Sequence, residues 1–215
     1  INAKDSFRLF DTFGFPIELT KELAEKDNLT IDLEGFNKLF EDHRQISRSG
    51  SEQIFKGGLA DHDPATIKHH TAHHLLLAAL REVLGNHVVQ RGSNVTSERL
   101  RLDFSHDQKL TEEQLKTVED IVNQKIKQQL FVTQETMEKD KALSLGALAE
   151  FGAKYSADVS VYTIHNQDGT IFSRELCGGP HVGNTGEIGQ FKILKEEASS
   201  AGIRRIKAKA ENITI

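Results

Sequence analysis

Residues 63–84 read DPATIKHHTAHHLLLAALREVL, and this stretch decides the fold of the chain around it. Asp63 followed by Pro64 is typical of an N-cap and a first helical turn, and Gly85 follows the last apolar residue. The stretch therefore predicts one long helix over about residues 65–84. The leucines expected to lie in the core are Leu75, Leu76 and Leu80.

After this helix the hydrophobic pattern changes to a period of two. Residues 99–104 read RLRLDF, an alternation typical of a half-buried strand, and residues 88–91 are a candidate partner strand. Thr111 followed by Gln114 predicts a capping box at the start of an amphipathic helix. Further strands are predicted at residues 131–137, 159–164, 170–176, 191–195 and 204–210, with a hairpin turn at Asp168-Gly169. These elements predict an α+β fold with an antiparallel sheet and packed helices.

The first part of the chain has a different character. Residues 1–48 carry apolar side chains at helical spacing, interrupted at Gly14 and Pro16, and predict a small helical segment. Residues 49–63 are rich in serine, glycine and charge, which predicts a linker. We therefore expect the helical segment, the linker and an α+β domain over residues 64–215.

The composition of the 215 residues narrows the functional classes. Hydrophobic residues make up 37% and charged residues 27%, which is ordinary for a globular protein. No apolar run approaches the roughly 20 residues of a membrane span, so we expect a cytoplasmic protein without a membrane partner. The formal net charge of -5 argues weakly against nucleic acid, although a local basic stripe on an acidic chain can still bind phosphate.

The spacing of histidine and cysteine predicts a metal site. Residues 69–74 read HHTAHH and offer two pairs at a spacing that places both imidazoles on one side of a helix, 69 with 73 and 70 with 74. Cys177 and His181 supply a second half across a tight loop, Gly-Gly-Pro, whose glycines let the backbone fold closely around an ion. A thiolate with imidazoles favours zinc over magnesium or calcium. Spacing alone leaves both histidine pairs open.

A plainer interpretation also stays open on spacing alone. Because one cysteine cannot form an internal disulfide, Cys177 is free, buried or bound to a metal. It could be a small core residue, with the histidines as polar surface residues. The position of His181 four residues after the single cysteine, with glycines between them, favours the metal.

Short motifs follow one another in order between residues 65 and 210. They are HTAHHLL at residues 70–76, QRGS at 90–93, LRLDFSH at 100–106, ELCGGPH at 175–181 and AGIRRI at 201–206. Together they resemble the editing domain of alanyl-tRNA synthetase, which also occurs in free-standing alanyl-tRNA trans-editing proteins and is related to the threonyl-tRNA synthetase editing domain. The family pattern, His-x-x-x-His followed by Leu-Leu, fits in one register. The resemblance therefore implies His70, His74, Cys177 and His181 as ligands of Zn2+.

The resemblance implies hydrolysis of serine or glycine wrongly esterified to tRNA(Ala). A second hydrolytic site is needed because one apolar pocket cannot separate amino acids that differ by a methyl or hydroxyl by more than about 1–3 kcal/mol. Gln90 resembles the family residue that contacts the substrate, the alternative being a surface strand glutamine. His73 stands where the family has a threonine associated with recognising the substrate side chain, so both are candidate catalytic residues. Arg204 and Arg205 are candidates for the phosphates of the tRNA acceptor end, the alternative being lone surface arginines.

The resemblance extends upstream and implies partners. Residues 10–16 read FDTFGFP and resemble the segment that closes the helical tRNA-recognition region of the full synthetase. This favours a fragment of the synthetase over a free-standing editor. The remainder of the synthetase, including the ATP-dependent ligase domain that these residues do not contain, is therefore an expected partner beside the tRNA.

Three features depart from the family pattern. His73 replaces the usual threonine, Pro180 replaces the threonine of the usual Gly-Gly-Thr-His loop, and residues 49–63 stand where the family has a β-barrel. The first two keep another function open, a tRNA-binding module in which zinc is structural and no hydrolysis occurs. A small-molecule metallohydrolase is a third hypothesis, which failure to bind tRNA at moderate salt would favour.

Overall fold

The computed structural model describes residues 1–13, 15–27, 29–41, 63–150 and 152–211. The chain divides into two compact units, Ile1–Gln53 and Ile54–Ile215. Apart from Asp63, the linker predicted at 49–63 lies outside the described residues. The predicted boundaries at residues 48 and 64 therefore stay predictions.

The first unit contains three helices among its described residues. They are α1, Ala3–Phe13; α2, Ile17–Lys26; and α3, residues 33–41. Phenyl rings join α1 to α3, since the ring centroid of Phe10 lies 5.9 Å from that of Phe36 and 5.4 Å from that of Phe40. Pro16 stands immediately before α2. The helical character predicted for this segment is confirmed for its described part.

Helix α4, Pro64–Leu84, is the central element of the second unit. The side chain of Asp63 accepts a hydrogen bond from the Ala65 N–H at 2.8 Å and so caps the helix. The helix ends at Gly85, whose φ of 111° lies where only glycine is unstrained. Both ends lie where the sequence predicts them. The leucines predicted to be core residues are fully buried: Leu75, Leu76 and Leu80.

Four antiparallel strands form the larger sheet, in the order β1-β2-β7-β6. They are β1, Gln90–Val95; β2, Leu100–Ser105; β6, Gln190–Ser200; and β7, Ile203–Glu211. Helix α5, Glu112–Lys127, packs against α4 and β6. It begins with the predicted capping box, in which the Thr111 hydroxyl accepts from the Gln114 N–H at 3.1 Å and the Gln114 side chain accepts from the Thr111 N–H at 2.9 Å.

Three further strands form a second antiparallel sheet, in the order β3-β4-β5. They are β3, Phe131–Glu138; β4, Asp158–His165; and β5, Ile171–Leu176. The described residues of the unit also include a short helix, α6, Lys139–Ser144, and a 3-10 turn, Thr185–Ile188. Helix α4 contacts β1, β2 and β7 of the larger sheet and β5 of the smaller one. The end of β5 is therefore held against the histidine-rich face of α4.

The α+β class and the antiparallel sheets are confirmed, with differences in detail. The strand predicted at 88–91 begins at Gln90 and continues to Val95. Strand β6 extends to Ser200, beyond the predicted end at residue 195. The prediction was too short because β-bulges shift the register of this strand and break the alternation of its side chains. Helix α6 has six residues, too few for a helical period to stand out in the sequence. None of the helices among the described residues combines the length and hydropathy needed to cross a membrane.

Candidate metal centre and adjoining cavity

Helix α4 presents the first two donors. His70 and His74 lie one helical turn apart, with ring centroids 5.1 Å apart, and both side chains are buried. His69 and His73, the other pair permitted by spacing, do not join them. The Nδ1 atom of His69 donates instead to the Thr96 carbonyl at 2.8 Å. Of the two pairs, His70 and His74 are the one that the structure brings together with Cys177 and His181.

The loop after β5 supplies the other two donors. The Sγ atom of Cys177 lies 3.3 Å from His70 Nε2 and 3.4 Å from His181 Nε2. One ligand atom from each of His70, His74, Cys177 and His181 lies within 4.8 Å of all the others. We call these four residues the donor group. Cys177 and all four histidines of α4 are buried, so the interpretation of those histidines as polar surface residues is wrong.

Two imidazoles of the donor group are held from behind by oxygen atoms. His70 Nδ1 lies 3.0 Å from the Pro180 carbonyl, which can only accept, so Nδ1 carries the hydrogen and Nε2 the lone pair. His181 Nδ1 lies 3.1 Å from the Thr71 hydroxyl, which itself donates to the Ile67 carbonyl and therefore accepts from the imidazole. Both Nε2 lone pairs consequently face the cysteine sulfur.

A carboxylate holds the third imidazole. Nδ1 of His74 lies 2.6 Å from Oε2 of Glu175, and the other Glu175 oxygen accepts from the Ser173 hydroxyl at 2.8 Å. Burial by itself lowers the pKa of His74, but the adjacent Glu175 charge outweighs it and raises the pKa to about 10. Burial lowers the pKa of His70 to about 3 and that of His181 well below its usual range. The environment thus keeps His70 and His181 neutral, the form that binds metals, whereas His74 has to release a proton before its Nε2 atom can bind a metal ion.

The donor group fits a zinc ion. Bond lengths of about 2.3 Å to sulfur and about 2.0–2.1 Å to nitrogen place tetrahedral ligand atoms roughly 3.3–3.6 Å apart. The two sulfur–nitrogen distances, 3.3 and 3.4 Å, match this geometry. No two ligand atoms of the group are more than 4.8 Å apart, so binding of zinc would bring the most distant pair closer by at most about 1.5 Å. Oxygen partners behind the imidazoles are also typical of metal ligands.

A cavity of about 30 Å³ adjoins the donor group and is large enough to hold ordered water. Its walls include His70, His74 and Cys177, but not His181. They also include a set of residues that we call the cavity wall: His73, Gln90 and Glu150. The cavity therefore meets the donor group on the side formed by three of its four members.

The residues of the cavity wall combine burial with polar atoms. Gln90 is only 7% exposed, so the alternative of a surface strand glutamine is wrong. His73 is 2% exposed, and neither of its ring nitrogens has a hydrogen-bond partner within the described part of the chain. Burial lowers the pKa of His73 to about 3, which keeps the ring neutral, with one nitrogen able to donate and the other to accept.

The two candidate tRNA contacts lie on β7 in ion pairs. Nε of Arg204 donates to Glu196 at 2.6 Å. Arg205 donates to both oxygens of Asp103, from Nε at 2.6 Å and from a terminal nitrogen at 2.7 Å. These side chains are therefore not lone surface arginines, and a phosphate would have to share or displace their carboxylate partners.

Comparisons with known proteins agree with the residue-level evidence. The family described as "tRNA synthetases class II (A)" matches residues 1–97, and "Threonyl and Alanyl tRNA synthetase second additional domain" matches residues 159–207. The Alanine–tRNA ligase of Treponema denticola is 53% identical over 212 residues, covering 99% of this chain and 34% of that protein. That of Borrelia hermsii is 55% identical over 203 residues, covering 94% of this chain and 33% of that protein. This chain is a homologue of alanine–tRNA ligases. It spans about a third of the length of these relatives.

A comparison with a more distant relative indicates that this alanine–tRNA ligase homologue has fewer residues in the aligned region. "Alanine–tRNA ligase 1" of Lachnoclostridium phytofermentans is 32% identical over 324 aligned residues that cover 99% of this chain. Because this chain has 215 residues, the relative carries many additional residues inside the aligned region.

Three residues of this ligase homologue's site were not among the residues predicted. Thr71 and Glu175 hold imidazoles of the donor group, and Glu150 lines the cavity. Thr71 and Glu175 lie inside the sequence motifs that contain the donor residues, so their position beside a donor could have identified them. Glu150 has no such signal, because a connection between β3 and β4 brings it to the site.

Proposed function

We propose that this chain is the editing part of an alanine–tRNA ligase and hydrolyses Ser-tRNA(Ala) or Gly-tRNA(Ala) at a zinc ion in the cytoplasm. The observation that carries the proposal is that one cavity is lined both by three members of the donor group and by His73, whose ring nitrogens have no hydrogen-bond partner among the described residues. Buried polar groups are normally hydrogen-bonded, and a purely structural metal site gives no reason for polar groups beside it to lack hydrogen-bond partners.

The donor group would hold the zinc ion through His70, His74, Cys177 and His181. Zinc in such a site polarises a carbonyl or activates a water molecule. The chain's own residues would bind and orient the aminoacyl group. The Gln90 amide can donate and accept, and the neutral His73 ring can do the same opposite the substrate side chain. The small cavity limits the water that can enter beside the ester.

The proposed partner is the acceptor end of tRNA(Ala), together with the remainder of the synthetase. Arg204 and Arg205 would face phosphate on β7 after exchanging part of their contacts with Glu196 and Asp103. The helical segment at residues 1–48 would be the end of the tRNA-recognition region, and residues 64–215 the editing domain. The match of residues 1–97 to the class II synthetase family supports the first assignment.

The direct test is deacylation of tRNA(Ala) charged with serine, glycine or alanine, using the purified chain with and without a zinc chelator. We expect faster release of serine or glycine than of alanine, and loss of that release on chelation. His87→Ala is a matched control, because His87 is an exposed histidine outside the donor group. Hydrolysis that survives complete removal of metal would contradict the proposal.

A second candidate function is a tRNA-binding module with structural zinc. The observation that favours it is the donor group itself, because four protein ligands form a closed site of the structural kind. That function predicts tRNA binding and metal-dependent folding without release of any amino acid. The deacylation assay separates the two functions in one experiment.

A further inference from the structure

Glu150 is a carboxylate built into the cavity wall. The segment that carries it is bonded to β5: the Leu148 N–H donates to the Arg174 carbonyl at 2.9 Å, and the Leu176 N–H donates to the Leu148 carbonyl at 2.8 Å. Two residues later the Glu150 N–H donates to the Tyr155 hydroxyl at 2.9 Å. The backbone that leads into the glutamate is thereby fixed, and the side chain of Glu150 lines the cavity beside Cys177.

One oxygen of the Glu150 carboxylate lacks a hydrogen-bond donor among the described residues. Its Oε2 atom is buried and has no hydrogen-bond partner within the described residues. Burial raises the pKa of Glu150, and a hydrogen bond from the Gln90 side chain only partly opposes this. An ionised carboxylate that loses its contact with water is costly unless a donor or a positive charge replaces that water.

Within the described residues, no other charged group around the cavity donates a hydrogen bond to Oε2 of Glu150. Arg81 lines the cavity, but its guanidinium donates to the Asn86 and Val88 carbonyls and to the Asn86 side chain. Glu175, the second carboxylate of the cavity, is already paired with His74. Glu150 is therefore left as the acceptor for a cation that arrives with the ligand.

We propose that Glu150 binds the α-ammonium group of the aminoacyl ester and makes it a requirement for hydrolysis. This inference rests on the proposed function, because it names what the same site recognises. Serine and glycine esters share the ammonium group and differ in their side chains, so recognition through it suits both substrates. Carboxylate and ammonium form the strong, charge-assisted kind of hydrogen bond. Esters whose amino group is absent or acylated should be poor substrates.

The test compares two esters that differ at this one group. Glycyl-tRNA(Ala) and glycolyl-tRNA(Ala) carry an ammonium or a hydroxyl on the same carbon. Each kcat/KM is divided by the rate of spontaneous hydrolysis, which removes the difference in intrinsic reactivity. We expect the unsubstituted chain to prefer the glycyl ester by about 10- to 100-fold, the range of a charged hydrogen bond. Glu150→Gln should abolish most of this preference, and Glu150→Asp should retain part of it.

Controls separate recognition from folding. Glu98→Gln changes an exposed glutamate at the β1–β2 turn and should keep the full preference. Glu150→Gln should bind zinc as the unsubstituted chain does, since Glu150 is not in the donor group. If Glu150→Gln lowered kcat/KM equally for the glycyl and glycolyl esters, the carboxylate would not bind the ammonium group, and the inference would be overturned.

A binding experiment keeps the inference separable from the proposed function. If the unsubstituted chain hydrolyses neither ester, the proposed function fails, and the probes become adenosines that carry glycine or glycolic acid through a stable 3′-amide. Tighter binding of the glycyl probe, lost in Glu150→Gln, would support ammonium recognition. Equal affinity for both probes, or no binding of either, would overturn it.

Discussion

The donor group and the cavity wall differ in how completely the protein satisfies them. In the donor group each imidazole has an oxygen atom behind it, from Pro180, Thr71 or Glu175. In the cavity wall both nitrogens of His73 and one oxygen of Glu150 are buried and have no hydrogen-bond partner in the part of the chain that the structure describes. In the donor group the chain fixes each imidazole through Nδ1, and the Nε2 atom of His74 is the one buried ring nitrogen there without a hydrogen-bond or ion-pair partner among the described residues. In the cavity wall the same residues give His73 no such support. This is the difference that we would expect between residues that bind a metal ion and residues that bind a substrate.

Adjacent residues on one helix separate the two roles. His73 and His74 are neighbours in sequence, and their ring planes lie 87° apart with centroids 5.6 Å apart. One step along a helix turns the side chain by about 100°, so His74 enters the donor group while His73 faces the cavity. Substitutions at these two positions should therefore have separable effects.

Loss of the thiolate should have the largest effect. Cys177→Ala removes the one sulfur ligand, and we expect bound zinc to fall by more than about 100-fold and hydrolysis of mischarged tRNA(Ala) to disappear with it. Metal analysis of the purified variant gives the first result, and deacylation the second. Unchanged zinc content would disprove the donor group as assigned.

The next effect should come from the carboxylate behind His74. Glu175→Gln weakens the hold on the imidazole, and loss of such outer partners commonly lowers metal affinity by about 10–100-fold. Competition with a coloured zinc chelator measures it. The matched variant, Glu150→Gln, should leave zinc affinity unchanged. Equal losses in the two variants would erase the distinction between the donor group and the cavity wall.

A smaller effect is expected at the cavity wall. His73→Ala should lower kcat for Ser-tRNA(Ala) by about 10-fold while zinc content stays the same, because a recognition contact is lost and no ligand is removed. Thermal unfolding must accompany the assay, since His73 is buried and its removal leaves a void. Parallel loss of zinc and activity would place His73 in the donor group instead.

The smallest effect on function should come from Arg205→Ala. The guanidinium of Arg205 donates two hydrogen bonds to Asp103, which is 8% exposed, and without them the carboxylate keeps only the more distant Nε atom of Arg101, 3.7 Å from Oδ1. The substitution should therefore cost about 1–3 kcal/mol of unfolding free energy. Affinity for tRNA(Ala) should fall less than about 10-fold, with the salt dependence reduced by about one phosphate contact. An unchanged salt dependence would remove Arg205 from the tRNA interface.

Much of the donor group was predictable because its signal is local. Histidines four apart on a helix, and a cysteine and histidine across a glycine loop, are patterns that sequence shows directly. Spacing could not choose between the two histidine pairs, since both obey the same helical geometry. The choice depends on which face of α4 meets the end of β5, a contact between residues 107 positions apart.

The cavity wall was only partly predictable because it is non-local. Gln90 and His73 lay within motifs, but Glu150 belongs to an irregular connection whose position depends on the Leu148 bridge to β5. The length of β6 was missed for a related reason, since its bulges interrupt the alternation on which strand prediction depends. Tertiary placement decided these features.

The 107-residue separation of His70 and Cys177 has a consequence for folding order. During synthesis α4 emerges long before the loop after β5, so the histidines wait without their thiolate until the smaller sheet has formed. A zinc ion bound by the histidines of α4 and by Cys177 would then close the long loop between them. By analogy with a disulfide, closing a loop of about 100 residues disfavours the unfolded chain by about 4–5 kcal/mol. Zinc would thus stabilise the fold only late in folding, and the time at which the growing chain binds zinc would show when the loop after β5 reaches helix α4.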